Sequence, residues 1–80
     1  FKSVFDKPGE GITLNNIGGV YDNTGQYSEA LSKYDKALEL FKSVDDKTGV
    51  GTTLNNIGVL YRNIGQYEDA LKNYQQALDI

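Results

Sequence analysis

The side chains in this sequence best placed to do chemistry are amides. Asparagine pairs stand at Asn15-Asn16 and again at Asn55-Asn56, and each is followed seven residues on by a second polar pair, Asp22-Asn23 and Arg62-Asn63. An asparagine carries both an acceptor and a donor, so such a set suits hydrogen bonding to another chain and not bond breaking. There is no histidine and no cysteine. The imidazole base, the thiolate nucleophile, the disulfide and the usual nitrogen and sulfur ligands of zinc are therefore missing. The expectation is a protein that is not an enzyme and holds neither cofactor nor metal. Three other patterns fail on spacing. Gly9-x-Gly11 and Gly49-x-Gly51 lack the third glycine of a dinucleotide fingerprint and the Lys-Ser/Thr of a phosphate loop, and read more simply as flexible helix starts. Asp45-Asp46 is half of a calcium loop without its remaining ligands. The six tyrosines fall at equivalent places in the two halves of the chain, which marks them as core and not as a platform for stacked bases.

Charge and hydropathy narrow the partners. Eight Lys and Arg against 11 Asp and Glu give a net charge of -3, which opposes contact with a phosphate backbone, so no nucleic acid is expected. Apolar stretches such as Val59-Leu60-Tyr61 are far shorter than the roughly 20 residues of a membrane span. No membrane is expected either. With no signal peptide to read, the expected compartment is the cytoplasm. A chain this short buries only a little over ~60% of the surface its unfolded form exposes, so its core must be used economically.

What positions the amides is a repeat. Shifted by 40 residues, the sequence matches itself at 24 of 40 pairs, which chance does not produce. The blocks include Thr13 to Gly18 against Thr53 to Gly58, and Gly25-Gln26-Tyr27 against Gly65-Gln66-Tyr67. A fixed period of this size is the mark of a solenoid, in which each unit buries its apolar face on the next. Within a unit, Leu14, Ile17 and Tyr21, then Tyr27, Leu31, Tyr34, Leu38 and Phe41, recur at helical spacing. Glycine at Gly25 and Gly65 ends the first helix of each pair, and acidic residues (Glu29; Glu68 and Asp69) open the second. Asp6 and Asp45-Asp46 are cap candidates, and Pro8 suits a first helical turn. The pattern predicts helices at about 8–23, 27–44, 48–63 and 67–79. Residues 1–7 read as the tail of a preceding repeat helix and its linker, 8–44 as unit one, and 45–80 as a linker and unit two. The stretch is thus cut out of phase with its own repeat.

Ile17-Gly18, Tyr21, Gly25-x-Tyr27, Ala30, Tyr34 and Ala37, repeated as Ile57-Gly58, Tyr61, Gly65-x-Tyr67, Ala70, Tyr74 and Ala77, resemble the tetratricopeptide repeat family over the whole chain. The resemblance implies an all-α solenoid of two helix-turn-helix units, about four helices. Small residues at Gly18, Ala30 and Ala37 let helices approach, and the tyrosines fill the space beside them. Leucine stands where the family often has tryptophan, and Lys42 stands where it has proline. A unit of 40 residues, not the usual 34, implies a second helix extended through Val44 and a longer connection after it. This longer form is similar to the repeats of kinesin light chains and spindle-orientation adaptors, which bind extended peptide segments in a concave groove.

The resemblance further implies that the first helix of each unit lines that groove. Its candidate peptide-binding residues are Ile12, Asn15, Asn16, Gly19, Asp22 and Asn23 in unit one, and Thr52, Asn55, Asn56, Val59, Arg62 and Asn63 in unit two. The plainer alternative is that one asparagine of each pair bridges neighbouring units. Arg62 facing Asp22 is either ligand-directed or a salt bridge between helices. The form of the family that clamps acidic chaperone tails needs basic residues on this face, and only Arg62 is there. A peptide or protein segment is the expected partner. A second expectation is a structural, self-associating block: with no polar capping helix, Tyr67, Leu71, Tyr74 and Leu78 expose an apolar face. Phe1 and Val4 stand where the repeat would continue after Ile80. Head-to-tail stacking or domain swapping into a homo-oligomer follows.

Overall fold

The computed structural model describes residues 6–80, which form α1 (Lys7–Asn23), α2 (Tyr27–Ser43), α3 (Lys47–Asn63) and α4 (Tyr67–Leu78). Every expected helix boundary is met within one residue. Helices α1 and α3 begin on Asp6 and Asp46, whose carboxylates accept the amide N–H of Gly9 and Gly49 at 3.0 Å. Pro8 lies in the first turn of α1, where an N–H would have no partner in the helix. Gln26 and Gln66 precede α2 and α4 without a side-chain cap, and the acidic residues Glu29, Glu68 and Asp69 in the first turns complement the helix dipole instead.

Helices α1, α2 and α3 end by one device. Gly25, Asp45 and Gly65 take positive φ of 79°, 54° and 82°. The following amide then reaches back to a carbonyl of the last turn: Gln26 to Tyr21 at 2.8 Å, Asp46 to Phe41 at 2.9 Å and Gln66 to Tyr61 at 2.8 Å. Asp45 adopts this conformation despite its side chain, which aspartate tolerates better than most residues. The second helix of unit one is corrected on this point. It stops at Ser43, Val44 belongs to the turn, and residues 44–46 mirror residues 24–26. No longer connection follows, because a left-handed residue at 45 halts α2 as Gly25 halts α1. The extra length of the unit lies in the helices, 17 residues each in α1, α2 and α3.

Helix α1 packs on α2 and α3 on α4, α2 packs on α3, and α1 touches α3, whereas α2 and α4 do not meet. Two layers result, α1 with α3 and α2 with α4, in a slab of 37 × 29 × 12 Å. The core sits at the joint between the units. One buried cluster joins Ala30 and Tyr34 to Ile57 and Leu60, and the other joins Ala37 and Phe41 to Val50 and Leu54. Phe41, only 2% exposed, fills a slot made by two glycines. A Cβ at Gly11 would stand 2.6 Å from its ring, and one at Gly49 would overlap it. Gly18 and Gly58 likewise receive the rings of Tyr34 and Tyr74. The tyrosines are not uniformly core, however. Tyr27 packs on the α2–α3 cluster, but its counterpart Tyr67 is 65% exposed, because among the described residues no helix covers the side of α4 opposite α3.

Gly49 and Gly51 lie two residues apart in α3 with opposite surroundings. A Cβ at Gly51 would meet only the carbonyl oxygen of Ala77, at 4.0 Å. Gly51→Ala should therefore gain helix propensity, about 0.8–1 kcal/mol, and raise Tm by roughly 3–8 °C. Gly49→Ala should lower Tm, since overpacking costs about 1–3 kcal/mol. Thermal unfolding followed by circular dichroism checks both, and shifts of the same sign would contradict the packing described.

Candidate binding groove

Since α1 and α3 lie side by side in one layer, their faces turned away from α2 and α4 make a single surface. Ile12, Asn16 and Asn23 of α1 and Thr52 and Asn63 of α3 are exposed there, with Gly19, Asn56 and Val59 half-buried. These residues recur three and four apart, so one stripe of each helix carries them. The stripe alternates amide with apolar or small groups.

The remaining expected residues lie elsewhere. Asn15, 8% exposed, is turned into the seam between the units, where its Nδ2 donates to Thr53 Oγ1 at 2.9 Å. Thr53 in turn donates its hydroxyl proton to the carbonyl of Gly49 at 2.8 Å. That second bond fixes the first: with its one proton committed, Thr53 Oγ1 can only accept, so Asn15 must present nitrogen to it. Asn15 Oδ1 then points away, buried and without a hydrogen-bond partner. Asp22 is also buried in the seam, and its carboxylate accepts from Asn63 Nδ2 at 3.0 Å. Asn63, and not Arg62, is the partner the structure gives it. Burial pushes the Tyr34 hydroxyl pKa above its ordinary value, and the charge of Asp22 adds to this. Asn55 and Arg62, the counterparts of Asn15 and Asp22, are exposed on the open edge of α3. For Asn15 the bridging alternative describes what is seen, whereas Asn16 faces outward.

Sequence reasoning overlooked Thr53. Its signal was a threonine identical in both units and set four residues after a helix-start glycine, where its hydroxyl reaches the i-4 carbonyl. Beside it, Ile12 and Asn15 of α1, Phe41, and Asp46, Gly49 and Thr52 at the start of α3 line a pocket of about 190 Å³. A larger hollow of about 790 Å³ lies against Lys7, Glu10, Leu14 and Lys36, away from that row of amides. Its walls mix both charges and gather no set of groups directed at one ligand. Among the described residues, no cluster of three or more His, Cys, Asp or Glu could hold a metal, and no helix is long and apolar enough to cross a membrane.

The family model for the tetratricopeptide repeat matches residues 9–80. No curated protein and no solved structure matches the chain.

The seam should behave as one coupled unit. Thr53→Val leaves the buried Asn15 amide without its acceptor and should cost about 1–3 kcal/mol. The cycle of Asn15→Ala, Thr53→Val and the double variant should show a favourable coupling of about 0.5–3 kcal/mol in urea unfolding. Additive losses would mean that the two side chains do not interact.

Proposed function

Because the chain belongs to the tetratricopeptide repeat family, whose repeats are generally protein–protein interaction modules, we propose that it is a scaffold whose α1–α3 groove holds an extended peptide or protein segment. The observation that carries this reading is the outward row of amides, Asn16 and Asn56, bordered by the small Gly19 and the apolar Val59. Amides can pair with a ligand main chain whatever its side chains are, while Gly19 and Val59 leave room for those side chains. The small pocket beside the seam, lined by Ile12, Asn15 and Thr52 among others, adjoins this row. Thr52, Asn23 and Asn63 flank the row, and Asn55 and Arg62 stand at its open edge. With Arg62 the single basic residue on this surface, an acidic tail is not the ligand class favoured. The 40-residue unit supports kinship with the peptide-adaptor branch of the family.

A second reading rests on a different surface. Helix α4 exposes Tyr67, Leu71 and Leu78, the last 84% exposed, while Tyr74 is half-buried against Gly58. A contiguous apolar face of this kind is an association surface, and we propose that copies of the chain cover it by head-to-tail stacking or domain swapping. Phe1 and Val4, the other residues expected to take part, lie outside the described residues.

The groove reading is checked by panning a random peptide display library on the wild-type chain and measuring recovered peptides against the Asn16→Ala, Asn56→Ala double variant. Losing two hydrogen bonds of about 0.5–1.5 kcal/mol each should weaken binding roughly 5- to 150-fold with Tm unchanged. Peptides that bind both proteins equally would place the site elsewhere.

A further inference from the structure

We infer that the α4 face is built for α1 of a second copy of this chain, docked in the register in which α3 docks on α2. This rests on the association reading above and adds the partner's surface and orientation. The joint inside the chain is the template. On its α2 side stand Tyr27, Leu31, Tyr34 and Leu38, and α4 carries the same four residues at Tyr67, Leu71, Tyr74 and Leu78. On its α3 side stand Leu54, Ile57, Leu60 and Tyr61, and α1 carries Leu14, Ile17, Val20 and Tyr21. Burial distinguishes the filled joint from the open one: Leu60 is 1% exposed and its counterpart Val20 is 62% exposed.

The polar groups of the open joint are also oriented in advance. Thr13 donates its hydroxyl proton to the Gly9 carbonyl at 3.1 Å, as Thr53 does to Gly49. Its oxygen is thereby left as an exposed acceptor on α1. Asn55, the counterpart of the Asn15 that serves Thr53, is exposed on α3 as the matching donor. Docking α4 on α1 of another copy brings these two into the relation that Asn15 and Thr53 have within the chain. Pairing α4 with α4 gives neither of them a partner. Besides Val20 in place of Leu60, two further substitutions set the joint between copies apart from the internal one. Arg62 replaces Asp22 and presents donors to the amide oxygen of Asn23 in the next copy. Glu10 replaces the buried Val50, so this joint is the weaker of the two and forms with rising concentration. The contact is heterologous and does not close on itself. Each added copy therefore lengthens the groove and sets a further Asn16 after Asn56.

Sedimentation velocity over a concentration series tests this with two surface variants, V20E on the α1 face and L71E on the α4 face, circular dichroism verifying that each is folded. Wild-type mass should climb above 8.8 kDa with concentration, and each variant alone should stay monomeric. Their equimolar mixture should form a dimer and nothing larger, since each keeps one intact face. The exposed Thr13→Val, which removes only the acceptor, should weaken wild-type association roughly 2- to 12-fold. Wild-type mass constant at every concentration would overturn association itself. Association that survives in V20E alone, fails in the mixture or ignores Thr13→Val would overturn the register while leaving association standing.

Discussion

The ring of Phe41 stands where three helices converge, and it fits there because α1 and α3 each lack a side chain at the point of contact. Gly11 and Gly49 admit the two edges of one slot, so a single residue of α2 holds its own unit and the next one together. A chain of 80 residues has a total stability of about 4–12 kcal/mol. It has no surplus with which to build a separate core in each unit. The buried clusters accordingly straddle α2 and α3. Within each unit the paired helices are also in close contact along their length, with Tyr34 set over Gly18 and Tyr74 over Gly58.

Docking α3 on α2 at that slot fixes where α1 and α3 meet, and so creates both the seam and the outward surface that α1 and α3 share. The seam resolves its polar groups in a set order. Thr53 commits its proton to Gly49, Asn15 therefore turns its nitrogen to Thr53, and Asn15 Oδ1 is left over. About two turns further along α1, Asp22 takes its hydrogen bond from Asn63. Buried hydrogen bonds of this kind give orientation more than stability, since the groups exchange water for each other at a small net gain. Their effect is to hold the two helices in register, so that the outward amides line up without touching one another.

Much of this was legible in the sequence, for identifiable reasons. Helix bounds came from apolar spacing and from Gly25 and Gly65, whose conformational freedom marks a turn. Asp45 performs the same act without that mark, which is why α2 was expected to run on through Val44. The repeat made the glycine and tyrosine pairs visible, but it could not tell Tyr27 from Tyr67, because a period says nothing about which copy has a neighbour. The asparagine pairs show the same limit at finer scale. Asn15 and Asn16 are adjacent in sequence and about 100° apart around the helix, so one enters the seam and the other faces outward. Which is which depends on where α3 lies, and only packing decides that. Charge leaves Arg62 either ligand-directed or bridged to Asp22, whereas geometry gives Asp22 the adjacent residue, Asn63.

Native-state hydrogen exchange measures most directly whether the joint between units is the core on which the fold and its α1–α3 surface depend. If it is, the slowest amides lie together in the α2–α3 joint, around Phe41 and Leu60, and exchange as one group with the protection of global unfolding. The amides of α4, exposed along one face, exchange faster. Protection divided by unit instead, with α1 and α2 forming one group and α3 and α4 another of different stability, would contradict a core shared across the joint.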